Sequence, residues 1–239
     1  MDLFNKKVIV TGGSDGYGKG IAKSFKAAGA QVWITGRNAE KLQKSAVELG
    51  EKFIIADVSK AEDWDKVFSE VPDVDILVNN AGAGGKIVPV ADQSDEDIIN
   101  TININLTGTI LGCRRAAKIM SAKKSGMIFN ISSVCALYAW PAWSVYTAAK
   151  AGLAKFSHGL YTELRPYNVR VFCITPSWGQ TNFNTAAQIQ GASENPELAK
   201  KCTSPDELGN ILRQLAEIPE HLAVPDITIQ PMIQDICPM

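Results

Sequence analysis

Short apolar runs and longer amphipathic stretches take turns along this chain, and that alternation predicts strands followed by helices. Lys7–Thr11 (KVIVT) is β-branched and apolar on both faces, which predicts a buried strand. Gln31–Thr35 (QVWIT), Lys52–Ala56 (KFIIA), Asp75–Val78 (DILV), Gly126–Ile131 (GMIFNI) and Arg170–Thr175 (RVFCIT) repeat the pattern, and Asp226–Gln230 (DITIQ) reads as a last strand. Between them lie amphipathic stretches. Lys19–Ala28 is one. Ser94-Asp95-Glu96-Asp97 reads as a capped helix start with early acids, continuing to about Met120. From Ser144 to Arg165 the spacing of Tyr146, Ala149, Leu153, Phe156, Leu160 and Leu164 is helical, and it stops before Pro166. Ser204-Pro205-Asp206-Glu207 starts a shorter helix. Asn182–Thr203 is polar with weak periodicity, which predicts a mobile loop or lid. Such alternation predicts an α/β fold: a mostly parallel sheet covered by helices on both faces. No linker, repeat or low-complexity tract divides residues 1–239, so a single domain is expected.

Composition narrows the function. With 46% hydrophobic residues in 239, the chain can bury a sizeable core. Its 24 basic and 25 acidic side chains leave no global field to attract nucleic acid or an anionic membrane. No run of 18 apolar residues appears, so no membrane partner is expected. MDLFNKKVIVTGG passes straight into a strand without the pattern of a signal peptide. The five cysteines (Cys113, Cys135, Cys173, Cys202, Cys237) are scattered, as in a cytoplasmic protein with reduced thiols. His158 and His221 stand in no ligand-like spacing, so no metal site is expected.

The candidate chemistry sits at strand ends. Gly12-Gly13-Ser14-Asp15-Gly16-Tyr17-Gly18 follows the first strand and opens the first helix. Glycines let the backbone approach a ligand, and a helix N-terminus favours phosphate. Gly36-Arg37-Asn38 ends the second strand, where a ribose 2′-phosphate would pair with the Arg37 guanidinium; that favours NADP, with NAD as the alternative and Asp15 as an opposing charge. Asp57 suits an adenine amino group, with Val58 against the ring, or equally a helix cap near Lys60. Asn79-Asn80-Ala81-Gly82 leaves room for a ligand at the fourth strand's end. Asn105 lies in a helical stretch, where a buried amide needs partners. Ser133 ends the fifth strand. Tyr146 and Lys150 are one helical turn apart, and the ammonium is expected to lower the phenol's pKa and make it a proton carrier.

Together, Thr11-Gly12-x-x-x-Gly16-x-Gly18, Asn80-Ala81-Gly82, Asn105, Ser133, Tyr146-x-x-x-Lys150 and Pro176 through Thr181 resemble the short-chain dehydrogenase/reductase family, over nearly the whole chain. The resemblance implies a Rossmann-like, doubly wound fold and an NAD(P)-dependent exchange between a carbonyl and a secondary alcohol. By that likeness Tyr146 is the general acid or base, Lys150 binds the nicotinamide ribose, Ser133 holds the substrate oxygen, and Asn105 keeps a water behind Lys150. Gly12, Ser14, Gly16, Tyr17 and Gly18 would line the pyrophosphate and adenosine side. Arg37, Asp57, Val58, Asn80, Ala81 and Gly82 would flank the nucleoside, and Pro176 and Thr181 would meet the nicotinamide amide. A homo-oligomer is implied, a tetramer or dimer built on Leu106–Lys124 and Tyr146–Arg165. The chain departs from the family's usual pattern at Tyr17, where a small aliphatic residue is common, at Ser177 and at Gly179.

The substrate pocket implied by the resemblance gathers Ser133, Cys135, Tyr138, Trp140, Trp143, Tyr146, Trp178 and Phe183. The tryptophans suit an apolar wall for a small-molecule carbonyl or alcohol, or else core or interface packing. No arginine is placed for a substrate carboxylate. Two other readings use the same scaffold: a non-catalytic NADP sensor, and an epimerase or dehydratase.

Overall fold

The computed structural model describes residues 2–187 and 195–234. Seven strands form one sheet in the order β3-β2-β1-β4-β5-β6-β7. They are β1 (Lys7–Thr11), β2 (Gln31–Gly36), β3 (Lys52–Ile55), β4 (Ile76–Asn79), β5 (Gly126–Ile131), β6 (Val169–Pro176) and β7 (Asp226–Ile229). All the pairings are parallel. The sequence predicted a mostly parallel sheet; among the described residues no strand runs against the others.

Side chains alternate across the pleat, so each strand feeds two cores. Val8 and Val10 of β1 face one side, with Ile21 and Phe25 of α1 (Gly16–Ala27), Leu42 of α2 (Ala39–Leu49) and, from a later helix, Leu212. Ile9 faces the other, with Trp64 of α3 (Ala61–Glu70). Burying each such side chain contributes about 1.5–3 kcal/mol. Because both faces are covered, the strands read as continuous apolar runs rather than alternating ones.

The stretch expected to be one helix from Ser94 is divided. A capping box of Ser94 and Asp97 starts α4 (Asp95–Ile102), a wider π-turn spans Asn103–Thr107, and α5 (Gly108–Lys123) follows. Asn105, fully buried in that turn, donates to the Thr101 carbonyl at 2.9 Å. The helix widens so that this side chain can take a main-chain partner. α6 (Ser144–Leu164) lies beside β5 and β6. The polar stretch after β6 contains two short helices, α7 (Phe183–Ala186) and α8 (Pro196–Ala199), before α9 (Pro205–Glu217). The middle of the expected lid, 188–194, lies outside the described residues. α3 starts after Lys60 with no side-chain cap, and Asp57 instead accepts hydrogen bonds from the Ser59 N–H (3.0 Å) and hydroxyl (2.7 Å).

The sheet order reverses between β1 and β4, the strands on either side of the first chain crossing. A crevice opens there, beyond the carboxyl ends of the strands. The glycine turn, Arg37, Asn80 to Gly82, Ser133 and Pro176 through Thr181 follow the carboxyl ends of strands, Tyr146 and Lys150 lie in the first two turns of α6, and Asn105 comes from the π-turn after α4.

Candidate active site

The mouth of the crevice is shaped by hydrogen bonds between side chains and main chain. Thr11 Oγ1 accepts from the backbone N–H groups of Asn80 and Ala81, each at 3.0 Å, and Asn80 Nδ2 donates to the Thr11 carbonyl at 3.0 Å. These bonds fix the end of β4 against the glycine turn after β1. Gly12 has φ +65°, and a Cβ there would lie 3.0 Å from Ala81 Cα. A Cβ at Gly18 would collide with the Gly12 carbonyl. The turn is therefore closed to side chains, while the start of α1 brings N–H groups and the positive end of the helix dipole. Such a cradle fits a phosphate-bearing cofactor.

Asp15 caps α1, accepting from Gly16 N–H at 2.8 Å. Its other oxygen takes Lys41 Nζ at 2.6 Å and Asn182 Nδ2 at 2.8 Å. Burial pushes the Asp15 pKa up, but those bonds outweigh it and hold the carboxyl below its ordinary range. The opposing charge read at Asp15 is thus neutralised within the fold. Arg37 stands just after β2 with its side chain 61% exposed and its guanidinium 3.8 Å from Asp57.

At the other end of the crevice, α6 is clamped to β5. Lys150 Nζ donates to the Ile131 carbonyl at 2.9 Å, and Ser132 Oγ donates to the Lys150 carbonyl at 3.1 Å. A buried chain continues the clamp, with Asn79 Nδ2 donating to Asn130 Oδ1 (2.8 Å) and Asn130 Nδ2 to Ser157 Oγ (2.9 Å). Tyr146 and Lys150 are thereby aligned with Ser133, whose Oγ accepts from Cys135 N–H at 3.2 Å. Asn105 donates to the Ala83 carbonyl at 2.7 Å and accepts from Ala83 N–H at 3.2 Å. A Cβ at Gly82 would sit 2.9 Å from Asn105 Oδ1 and 3.5 Å from Lys150 Nζ, so only a glycine lets these groups converge.

The expected sign of the tyrosine's pKa is corrected. Burial pushes the Tyr146 pKa up, the Cys135 thiolate form adds to the rise, and the Ser133 hydroxyl pulls it down by less. Lys150 does not reverse the shift: its ammonium is committed to Ile131, lies 5.7 Å from the ring centroid, and is itself brought down to about 8 by burial. Low-dielectric surroundings outweigh the neighbouring charge. Tyr146 keeps its proton at neutral pH, as a proton donor must.

One cavity of about 770 Å³ joins the two ends. Its walls include Gly12, Gly16, Tyr17, Arg37, Asn80, Ala81, Gly82, Ser133, Cys135, Trp140, Trp143, Tyr146, Lys150, Pro176, Trp178 and Thr181. Ser14, Gly18, Asp57, Val58 and Asn105 stand outside those walls. Ser14 offers its carbonyl to Ser45 (2.9 Å) and Val58 offers its own to the Trp64 indole (2.8 Å), so both main-chain groups are used internally. The structure adds Lys41, Asn182, Asn184 and Gln234, which sequence reasoning missed. A lysine inside a helix and amides in a polar loop carry no signal of their own. Gln234 bonds the Ser177 hydroxyl and accepts from Trp178 N–H at 3.2 Å, anchoring the loop after β6.

Two departures from the family pattern explain each other. The Tyr17 hydroxyl is buried against Gly179, where any Cβ would collide with it. Among the described residues Thr203 is the hydroxyl's polar neighbour, and the hydroxyl makes no well-formed hydrogen bond there. Near Tyr146 the rings crowd: Trp143 and Phe183 lie 6.3 Å apart at 16°, and Phe183 and Tyr146 5.5 Å apart. Trp143 meets Tyr146 edge-on at 5.6 Å.

Among the described residues one group of metal-capable side chains converges, His158, Cys173 and Asp226, with donor atoms within 4.8 Å of one another. It lies outside the cavity walls, and His158 contacts Asp226 directly. No helix among the described residues is long and apolar enough to cross a membrane.

The short chain dehydrogenase family pattern matches residues 6–191. A serine 3-dehydrogenase of Agrobacterium fabrum is 32% identical over 236 residues, covering 95% of this chain and 94% of that protein. An NADP-dependent 3-hydroxy acid dehydrogenase of Salmonella typhi is 32% identical over 237 residues, with 95% of each chain covered. Among solved structures, the closed form of serine dehydrogenase complexed with NADP+ superposes with a TM-score of 0.89 at 28% identity, over 98% of both chains.

Proposed function

The chain belongs to the short chain dehydrogenase family and is an oxidoreductase of alcohol and carbonyl groups, and on that premise we propose that it uses NADP(H), with Tyr146 as its proton donor and acceptor. When bound, the nicotinamide cofactor supplies or takes the hydride. The protein's own part is to bind, orient and move one proton. In reduction, the Tyr146 O–H gives its proton to the substrate oxygen as that oxygen gains negative charge, and Tyr146 is then reprotonated from solvent; in oxidation Tyr146 first releases its proton to solvent and then takes the substrate's. Ser133, at the end of β5, holds the same oxygen by its hydroxyl. Lys150 offers its ammonium to ribose hydroxyls, and Asn105 keeps the π-turn and the Ala83 main chain fixed behind it.

One observation carries this reading. The clamped Ser133–Tyr146–Lys150 group and the glycine turn lie at opposite ends of one cavity. Arg37 and Lys41 stand at the turn's end, and two cations there favour NADP over NAD. That the similar proteins include an NADP-dependent enzyme and an NADP+ complex supports the same choice. A sensor would have no use for the proton-transfer group, and an epimerase would consume no cofactor. The test is loss of NADPH absorbance against a panel of carbonyl compounds. Loss with at least one is expected; NADPH binding without loss across a broad panel would favour the sensor or the epimerase.

We also propose an oligomer formed through α5 and α6, in a cytoplasmic setting. The partly buried Leu111, Ala117 and Ile119 of α5 and Phe156 and Tyr161 of α6 offer the apolar surface for it. Light scattering checks it: a dimer or tetramer is expected, and a monomer would count against it.

A further inference from the structure

We infer that the carbonyl substrate of this site is a neutral molecule with a flat apolar group beside the carbonyl, rather than an amino or hydroxy acid. The inference rests on the oxidoreductase reading for the place of the reacting carbon, next to Tyr146.

The cavity's charge is distributed unevenly. Its cations are Arg37, Lys41 and Lys150. Arg37 and Lys41 stand at the glycine-turn end, where they meet Asp57 at 3.8 Å and Asp15 at 2.6 Å. Lys150 is buried and committed to the Ile131 carbonyl. Tyr146 is faced by Ser133, Cys135, Trp143 and Phe183. The same cavity carries Trp140, Trp178 and the amides of Asn184 and Gln234, and none of these groups is charged. Lys86, which follows the Ala81–Gly85 wall in sequence, is exposed and outside the cavity.

The segments 188–194 and 235–239 do not change this, because they contain no lysine, arginine or histidine; their only ionisable side chains are the acids Glu194 and Asp235 and the thiol of Cys237. A substrate carboxylate near Tyr146 would leave water with Lys150 as the one wall cation within reach, and that ammonium is shared between the Ile131 carbonyl and, on the proposed reading, the cofactor ribose, so the transfer is unfavourable.

The rings supply the opposite preference. Trp143 and Phe183 are nearly parallel, at 16°, and both touch Tyr146. Their faces give a flat group an offset-stacked or edge-on seat with the carbonyl oxygen turned to the Tyr146 hydroxyl. The serine 3-dehydrogenase and 3-hydroxy acid dehydrogenase similar to this chain are named for substrates that carry a carboxylate. The substrate end of this cavity is built for something else.

Calorimetric binding to the full chain, with and without NADP+, tests this directly. The ligands are two matched pairs: para-acetylbenzoate and its methyl ester, and levulinate and its methyl ester. Each ester is expected to bind at least tenfold more tightly than its acid, and the aryl ester more tightly than the aliphatic one. Phe183→Ala should abolish the aryl preference while the preference for esters remains. An acid that binds as well as its ester, or failure of both esters to bind, would overturn the inference. Ester binding without NADPH oxidation by any carbonyl would instead sink the oxidoreductase reading, and with it the place of the reacting carbon, and leave only the cavity's preference for neutral ligands. NADPH oxidation that favours the free acids would do the reverse.

Discussion

The two ends of the cavity are made of different materials. At the glycine turn, main-chain atoms set the shape: Gly18 leaves no space for a Cβ, Gly12 and Gly16 hold positive φ angles that side chains disfavour, Thr11 grips Asn80 and Ala81, and charged Arg37 and Lys41 stand at the rim. At the Tyr146 end, the shape comes from side chains of segments distant in sequence, with Trp143 and Phe183 folded around the tyrosine. A main-chain cradle tolerates almost no substitution and writes itself as a motif. A wall of rings can be rebuilt from many sequences, so it carries specificity and leaves little trace.

Breaking the link between the ends should have the largest effect. Lys150→Met keeps the bulk but removes the ammonium, and should lower kcat/KM by ~10³-fold or more while weakening cofactor affinity about tenfold. Unchanged affinity, measured by calorimetry, would show that Lys150 does not serve the cofactor end. The same lysine gives a pH signature. Burial lowers its pKa to about 8, and cofactor binding should favour the ammonium form. Affinity should then fall as pH rises through about 8, by at most about tenfold per unit, and Lys150→Met should be flat over that range.

A subtler break is Gly179→Val, which drives a side chain into Tyr17. The cofactor KM should rise about tenfold or more, and adding Tyr17→Ala should recover most of the loss, because the two residues are coupled through one contact. Additive effects in the double variant would show that they are not a pair. Smaller still, Arg37→Ala should raise the KM for NADPH about tenfold and that for NADH by less than about twofold. Equal effects would show that Arg37 does not read the phosphate.

The contrast also explains what the sequence could reveal. Strand positions were legible because runs such as KVIVT and GMIFNI are buried on both faces, and residues 12–18 announced the cradle. The π-turn at Asn103–Thr107 was not, since one widened turn barely disturbs helical spacing; only the out-of-place Asn105 hinted at it. Asp15 looked repulsive because its partners, Lys41 and Asn182, lie 26 and 167 residues away along the chain. The sign of the Tyr146 shift failed for a similar reason: spacing identifies one neighbour, whereas burial sums over all of them. Tyr17 and Gly179 were each visible as oddities, yet only their contact makes sense of both.

The central claim is that Tyr146 moves the proton while other groups hold the cofactor. It is tested most directly by Tyr146→Phe, with turnover and NADPH binding measured on one preparation. Turnover should fall by ~10³-fold or more while the NADPH dissociation constant stays within about twofold of wild type. Near-normal turnover, or turnover and binding lost together, would contradict it.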